Sequence, residues 1–324
     1  SIGCPTELAS GGSLEEYSLM AGATVARAAW GAARRGLSRR GNRFVSSPAG
    51  TAPAEPPEDP VLFSVDGHGV ATITLNNPRR RNPLSKAVIE QLHGVVSQVT
   101  ASLTGADRVR AVVIGSTGPV FSSGHDFKEF VIDEDGGGRD EHAEILGMCT
   151  DLNLRLIYEC PPTIAAVAGL ATAAGCQLVC SCDLVFATRD SAFCVPGSRN
   201  GGFCHTPGVS LAGKIHPRKA LEMLLLAENV GAEEAERLGL VNRLADDADH
   251  LETMVTTAAR EIATTSGHNT LLGKRGFYAQ VDQPTIRGQY DAATPFMLDM
   301  FASEDQQEGI DAFFSKRRPV WRDA

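Results

Sequence analysis

Residues 169–177 (GLATAAGCQ) constrain the fold more tightly than any other stretch. A strand-like run, 163–168 (TIAAVA), leads into them, and an apolar helical pattern over 176–182 follows. Ala173, Ala174 and Gly175 leave the backbone uncovered at this strand-to-helix turn. Two uses fit such a turn. The unpaired N–H groups at the helix start can hold an anionic oxygen, where the helix dipole also favours negative charge. Alternatively, the small residues simply let a helix pack closely on a sheet.

The chain has 324 residues, 43% of them hydrophobic, which is enough for one large domain or two ordinary ones. A net charge of −9 argues against a nucleic-acid groove, which needs a basic surface. No apolar run is long enough to span a bilayer. The first sixty residues differ in kind. Between Met20 and Gly50 there are six arginines (27, 34, 35, 39, 40 and 43) and no Asp, Glu or Lys. On a helix Ala26, Trp30, Ala33 and Leu37 would share one face. This acid-free amphipathic pattern reads as a mitochondrial transit peptide over 20–45, with a disordered basic tail as the plainer reading. Met20 then fits an initiator, with 1–19 as upstream sequence, and the Pro- and Ala-rich 46–60 as a linker.

Cysteines stand at 4, 149, 160, 176, 180, 182, 194 and 204. Five fall within 176–204, but none of these has C-x-x-C spacing. Buried free thiols in a reducing compartment, the mitochondrial matrix, fit better than a metal site.

Alternation over 61–66 and 70–75 around Gly67-His68-Gly69 predicts a hairpin. Residues 76–83 (NNPRRRNP) form a polar loop. Ser85 can cap a helix with Val88, Leu92, Val95, Val99 and Leu103 on its apolar face. Strands are expected at 109–114, 163–168, 183–188 and 192–195, with a loop over 115–126. Helices are expected at 139–158, ended by Pro161-Pro162, and at 217–227, 231–238, 249–265 and 299–316. Strands alternate with helices and then give way to helices, an α/β core with an α-helical C-terminal part.

Five ordered blocks carry a family resemblance: LNNPRRRNPLS (75–85), VFSSGHDFKEF (120–130), IAAVAGLATAAGCQLVCSCDLVFA (164–187), AEEAERLGLVNRL (232–244) and EGIDAFFSKRRPVW (308–321). Together they resemble the crotonase (enoyl-CoA hydratase/isomerase) superfamily over about 61–321, with the SSGHD and ATAAGCQ loops typical of a mitochondrial group within it. The resemblance implies an α/β spiral of ββα units (a ClpP/crotonase-like fold). The core would span 61–260, and 261–324 would be a C-terminal helical trimerisation region. It implies acyl-CoA as ligand, no separate cofactor or metal, and a homotrimer or hexamer, possibly docked in a larger mitochondrial assembly. It also gives the N–H groups of His125 and Ala174 a joint task, an oxyanion hole for the thioester oxygen. Fixed donors of this kind are each worth about 3 kcal/mol of barrier. Arg79, Arg80, Arg81 and Lys128 would border CoA, and Phe313, Lys316 and Arg317 would reach a neighbour's CoA; the alternative is a solvated basic face.

The pattern also fails in two places. Hydratases of the superfamily use two glutamates to position and split a water. At those positions this chain has Gln177 and, after Phe193-Cys194-Val195-Pro196, Gly197. An amide can hold water but cannot take its proton, and glycine can do neither. Each positioned acid or base contributes on the order of a hundred- to ten-thousand-fold, so hydration by the usual route should be weak. His205, eight residues on, could shuttle a proton or merely stand in a turn. Three readings stay open: an enzyme of altered chemistry in fatty-acid metabolism, a non-catalytic acyl-CoA binder or regulator, and a structural subunit.

Overall fold

The computed structural model describes residues 59–103, 108–132 and 137–323. The expectations for 1–19, 20–45 and nearly all of 46–60 lie outside the described residues. The chain enters through the expected hairpin, β1 (Val61–Val65) and β2 (Val70–Leu75). Asp66 shapes its turn by accepting the N–H groups of His68 and Val70. A short strand, β3 (Pro83–Leu84), precedes α1 (Lys86–Ala101). Ser85 caps α1 through the Val88 N–H, and Val88, Leu92, Val95 and Val99 are buried as their spacing predicts. Leu103 lies past the helix end.

Three ββα units follow. The first is β4 (Ala111–Ser116), β5 (Val120–Ser122) and α2 (Arg139–Tyr158), with the short β6 (Gly124–His125) between them. The second is β7 (Thr163–Val167), β8 (Leu170–Thr172) and α3 (Ala174–Cys180). The third is β9 (Leu184–Thr188), β10 (Ala192–Cys194) and α4 (His205–Ala212). Next come α5 (Pro217–Leu226), β11 (Val230–Gly231), α6 (Ala232–Arg237), β12 (Arg243–Ala245) and α7 (Ala248–Ala263).

Each unit sends its first strand to one sheet and its second to another. The larger sheet has six strands in the order β1-β2-β4-β7-β9-β12, parallel from β2 onward. The smaller has four, β11-β10-β8-β5, and β3 pairs with β6 alone. The six-stranded sheet is covered on both faces. Ala111, Val113, Ile164 and Phe186 pack on Leu251, Val255 and Ala259 of α7. Val112, Ile114, Ala165 and Ala187 face the main core with α1 and α3. Burial on both faces is why these strands read as continuous apolar runs rather than alternating ones.

The C-terminal part departs from the expected single helical region over 299–316. It consists of α8 (Gly267–Val281), α9 (Ile286–Ala302) and α10 (Glu304–Phe314). The break falls at Ser303, whose Oγ accepts the Gln306 N–H and restarts the chain as α10. Asp183 fastens α8 to the core. Its carboxylate takes Lys274 Nζ at 2.7 Å, Tyr278 OH at 2.8 Å and the Thr163 N–H at 2.7 Å.

Candidate functional site

The two loops singled out in the sequence meet. Gly124 has φ of 81°, and a Cβ there would lie 2.9 Å from both the Ala173 Cβ and the Ala174 N. Gly175 presses on Ser122 in the same way, so a Cβ would fall 2.6 Å from the Ser122 Cβ. Thr172 Oγ1 donates to Ser123 O at 3.0 Å, and Ser122 Oγ donates to Asn82 O at 2.8 Å. The small residues are therefore needed for loop-to-loop packing, and that packing sets the direction of the backbone.

Ala173 takes φ 48°, ψ −122°, a conformation rare for a residue with a Cβ. It turns the chain sharply into α3, which has no side-chain cap. The Ala174 N–H thus stands at a helix start where no intrahelical acceptor exists. On the facing loop, Pro83 has no N–H to give. The pairs Pro83–Gly124 and Leu84–His125 are parallel, and the Gly124 N–H donates to Ser122 Oγ at 3.2 Å. His125 ends β6. It and Ala174 line one cavity of about 620 Å³.

Apolar groups make most of that cavity's wall: Phe127 and Phe130 after the first loop, Leu146 of α2, and Phe203 and Pro207 at the start of α4. Its lining includes His125, His205 and Cys204 but no Asp or Glu among the described residues. The His125 Nδ1 lies 3.3 Å from Leu84 O, and its Nε2 is buried without a hydrogen-bond partner. Burial holds this imidazole below the ordinary histidine value, against a smaller upward pull from Leu84 O. His205 is the first residue of α4, exposed, with Nδ1 3.1 Å from Phe203 O. It also lines the cavity. Phe127, Phe130 and Phe203 are lining residues that the sequence reading does not give, though FKEF directly after Asp126 is a signal for two of them.

Gly197 also lines the cavity, and its surroundings are informative. A Cβ there would lie 2.7 Å from the Cys204 N and 2.8 Å from the Phe203 carbonyl carbon. Its N–H donates to the Cys204 Sγ at 3.2 Å. The 197–204 loop has closed over this position, so more than a carboxylate is missing. Gln177 does not reach this cavity. It is 4% exposed and lines a second one, on the other side of α3. The described cysteines are all free and buried; burial pushes the Cys160 thiol up to about 11 and Cys182 up to about 12.

The basic residues fare unequally. Arg80 is paired with Asp126 at 2.5 Å, and Asp126 also accepts the Lys128 N–H. Asp126 thereby orders its loop. Arg79, Arg81 and Lys128 are exposed beside that pair, outside the cavity lining. Arg317 is taken up by Glu308 and Asp311, while Phe313 is 78% exposed.

A spiral of ββα units with two touching loops at the head of α3 is the fold of the crotonase superfamily, and the chain belongs to its enoyl-CoA hydratase/isomerase family, whose model matches residues 66–324. Among its relatives is the mouse protein named enoyl-CoA hydratase domain-containing protein 3, mitochondrial. The two are 42% identical over 277 residues, covering 85% of this chain and 89% of the mouse protein. The crystal structure of its human counterpart superposes with a TM-score of 0.75 at 41% identity, covering 81% of this chain and all of that one. An enoyl-CoA hydratase from Mycobacterium smegmatis gives 0.75 at 37%, covering 82% and 99%.

Proposed function

We propose that this protein binds acyl-CoA in mitochondria, in the matrix and in the service of fatty-acid metabolism, with little or altered enoyl-CoA hydratase or isomerase activity. The observation that carries this reading is the cavity where the two loops meet. It is lined by His125 and Ala174, whose N–H groups would serve a ligand oxygen, and it has no carboxylate in its described wall. Two fixed backbone donors suit the enolate-like oxygen of a thioester and need no reorganisation as charge develops. Without a carboxylate near the α- and β-carbons, water is not deprotonated and the leaving proton has no acceptor. His205 and the neutral His125 ring are the bases that remain, and an isomerisation or other proton transfer would have to use one of them.

The mitochondrial part rests on the arginine-rich stretch 20–45 and on the names of the relatives. Arg79, Arg81 and Lys128 are the cations proposed for CoA phosphates. Phe313 and Lys316 would serve a neighbour's CoA in a homotrimer or hexamer, and Arg80 and Arg317 act through their carboxylate partners. The exposed apolar side chains of α9 and α10 favour assembly, and they also support a structural subunit as a second reading.

Crotonyl-CoA tests this directly. The protein should bind it, and hydration should run at least about a hundred-fold below a two-glutamate hydratase. Gln177→Glu alone should not restore it, because Gly197 has no room for the second carboxylate. Hydration at full hydratase rates would overturn the reading, and failure to bind would leave the structural one.

A further inference from the structure

Away from the two oxyanion loops, the turn of the β1–β2 hairpin borders a cleft of about 280 Å³, between the start of β4 and the C-terminal end of α7. Arg108, Arg110, Arg260 and His68 line it, and the rest of its wall is glycine, alanine and threonine. No Asp or Glu lines it among the described residues. A wall of one sign stands out in a chain of net charge −9.

Arg108 is only 5% exposed, a burial that a guanidinium tolerates only with partners. Asp323 takes its Nη1 at 2.9 Å and the Nη2 of Arg110 at 2.7 Å. That carboxylate is buried and absent from the cleft wall, so it holds both guanidinium groups from behind. Arg260 reaches Asp66 at 3.3 Å and 3.4 Å through Nη2 and Nε. Among the described residues, Arg108 Nη2, Arg110 Nε and Arg260 Nη1 have no acceptor. Three cations thus share two carboxylates, and one positive charge is left over. The C-terminal dipole of α7 opposes an anion here. Its last carbonyls are already covered, however: Ile262 O by Thr265, Ala263 O by Arg110 and Thr264 O by Trp321.

We propose that this cleft binds a small phosphate monoester, its phosphate held by Arg108, Arg110 and Arg260, with His68 on the side of the turn. Three guanidinium groups suit a group with three terminal oxygens, whereas a carboxylate is satisfied by one planar fork. The volume lies just below the range of pockets for drug-sized ligands, which leaves room for a short organic body beside the phosphate. The cleft is distinct from the candidate acyl-CoA site. Arg108 and Arg110 stand before β4 and the first oxyanion loop follows it, and the six residues of β4 span about 20 Å.

Calorimetric titration of the full chain, in a buffer free of phosphate, with inorganic phosphate, glycerol phosphate and acetate tests the proposal. Both phosphates should bind once per chain, and acetate at least about ten-fold more weakly. Arg260→Gln should weaken both phosphates about ten-fold, the worth of one hydrogen bond to a charged group. The Arg260 side chain is half exposed, so this variant should melt close to the parent. Arg110→Gln gives a second reading of the same loss. Crotonyl-CoA should bind Arg260→Gln as it binds the parent. No binding of either phosphate would overturn the proposal, as would acetate binding as tightly as phosphate. Phosphate affinity unchanged in both variants would mean adventitious binding elsewhere and would also overturn it. A parallel loss of crotonyl-CoA and phosphate in Arg260→Gln would assign the cleft to CoA and overturn the separate site. Failure of crotonyl-CoA to bind the parent touches only the acyl-CoA reading.

Discussion

Gly124 shows how one position joins packing to chemistry. Its positive φ is strained for any other residue, and its Cα faces the Ala174 N at a distance that leaves no room for a methyl group. Gly124→Ala should cost about 1–3 kcal/mol in urea denaturation. On the proposed oxyanion role it should also weaken crotonyl-CoA binding, because the two loops would be pushed apart. Unchanged stability and affinity would show that the loops do not depend on each other. His125 makes a different residue-level statement. Its folded value lies below the ordinary 6.5, so the unfolded chain binds the proton more readily. Stability should therefore be flat above about 6.5 and fall as pH drops from there through the folded value. His125→Gln should flatten that part of the pH profile measured by thermal melting. An identical profile would mean that His125 does not set that part of the pH dependence; Asp66, whose carboxyl lies below its usual range, loses its contribution only at more acid pH.

At the level of elements, Asp183 ties α8 to the spiral through Lys274, whose side chain is only 6% exposed. Removing one partner strands the other's charge in a buried place. Lys274→Met should cost about 3–5 kcal/mol, and α8 should lose amide protection in hydrogen exchange before the sheets do. Loss of less than about 1 kcal/mol would mean that water reaches the pair. Legibility in the sequence followed the size of the local signal. The bounds of α2 were readable because a polar, glycine-rich approach and two prolines frame it. α1 was readable from Ser85 and its apolar stripe. β5 and β6 fall within the loop expected over 115–126, because strands of three and two residues carry no period. α8 gives no helical signal in the sequence because GHNTLLGKRGFYAQV has little amphipathicity and buries only Leu271 and Gly276. The site was half legible. The loops that meet were visible as runs of small residues. The closure of 197–204 over Gly197, and the placing of Gln177 in a different cavity, depend on contacts between segments and leave no mark on local pattern.

Across the whole molecule, α9 has no buried residue, and Ile286, Tyr290, Met297 and Leu298 are each more than half exposed. So much apolar surface on one helix fits an interface between copies of the chain. Sedimentation should show a trimer or hexamer, and Leu298→Glu should shift it toward monomer; a monomeric parent would contradict the oligomer reading. The central proposal concerns the cavity at the head of α3: that a thioester oxygen is held there by the N–H groups of His125 and Ala174. Isotope-edited infrared spectroscopy of crotonyl-CoA labelled with carbon-13 at the thioester carbonyl tests that claim most directly. Two hydrogen bonds from fixed donors polarise the carbonyl, so its stretch should move to lower frequency on binding. It should return toward the free value in Gly124→Ala. A bound ligand whose carbonyl frequency matches that of free crotonyl-CoA would contradict the account.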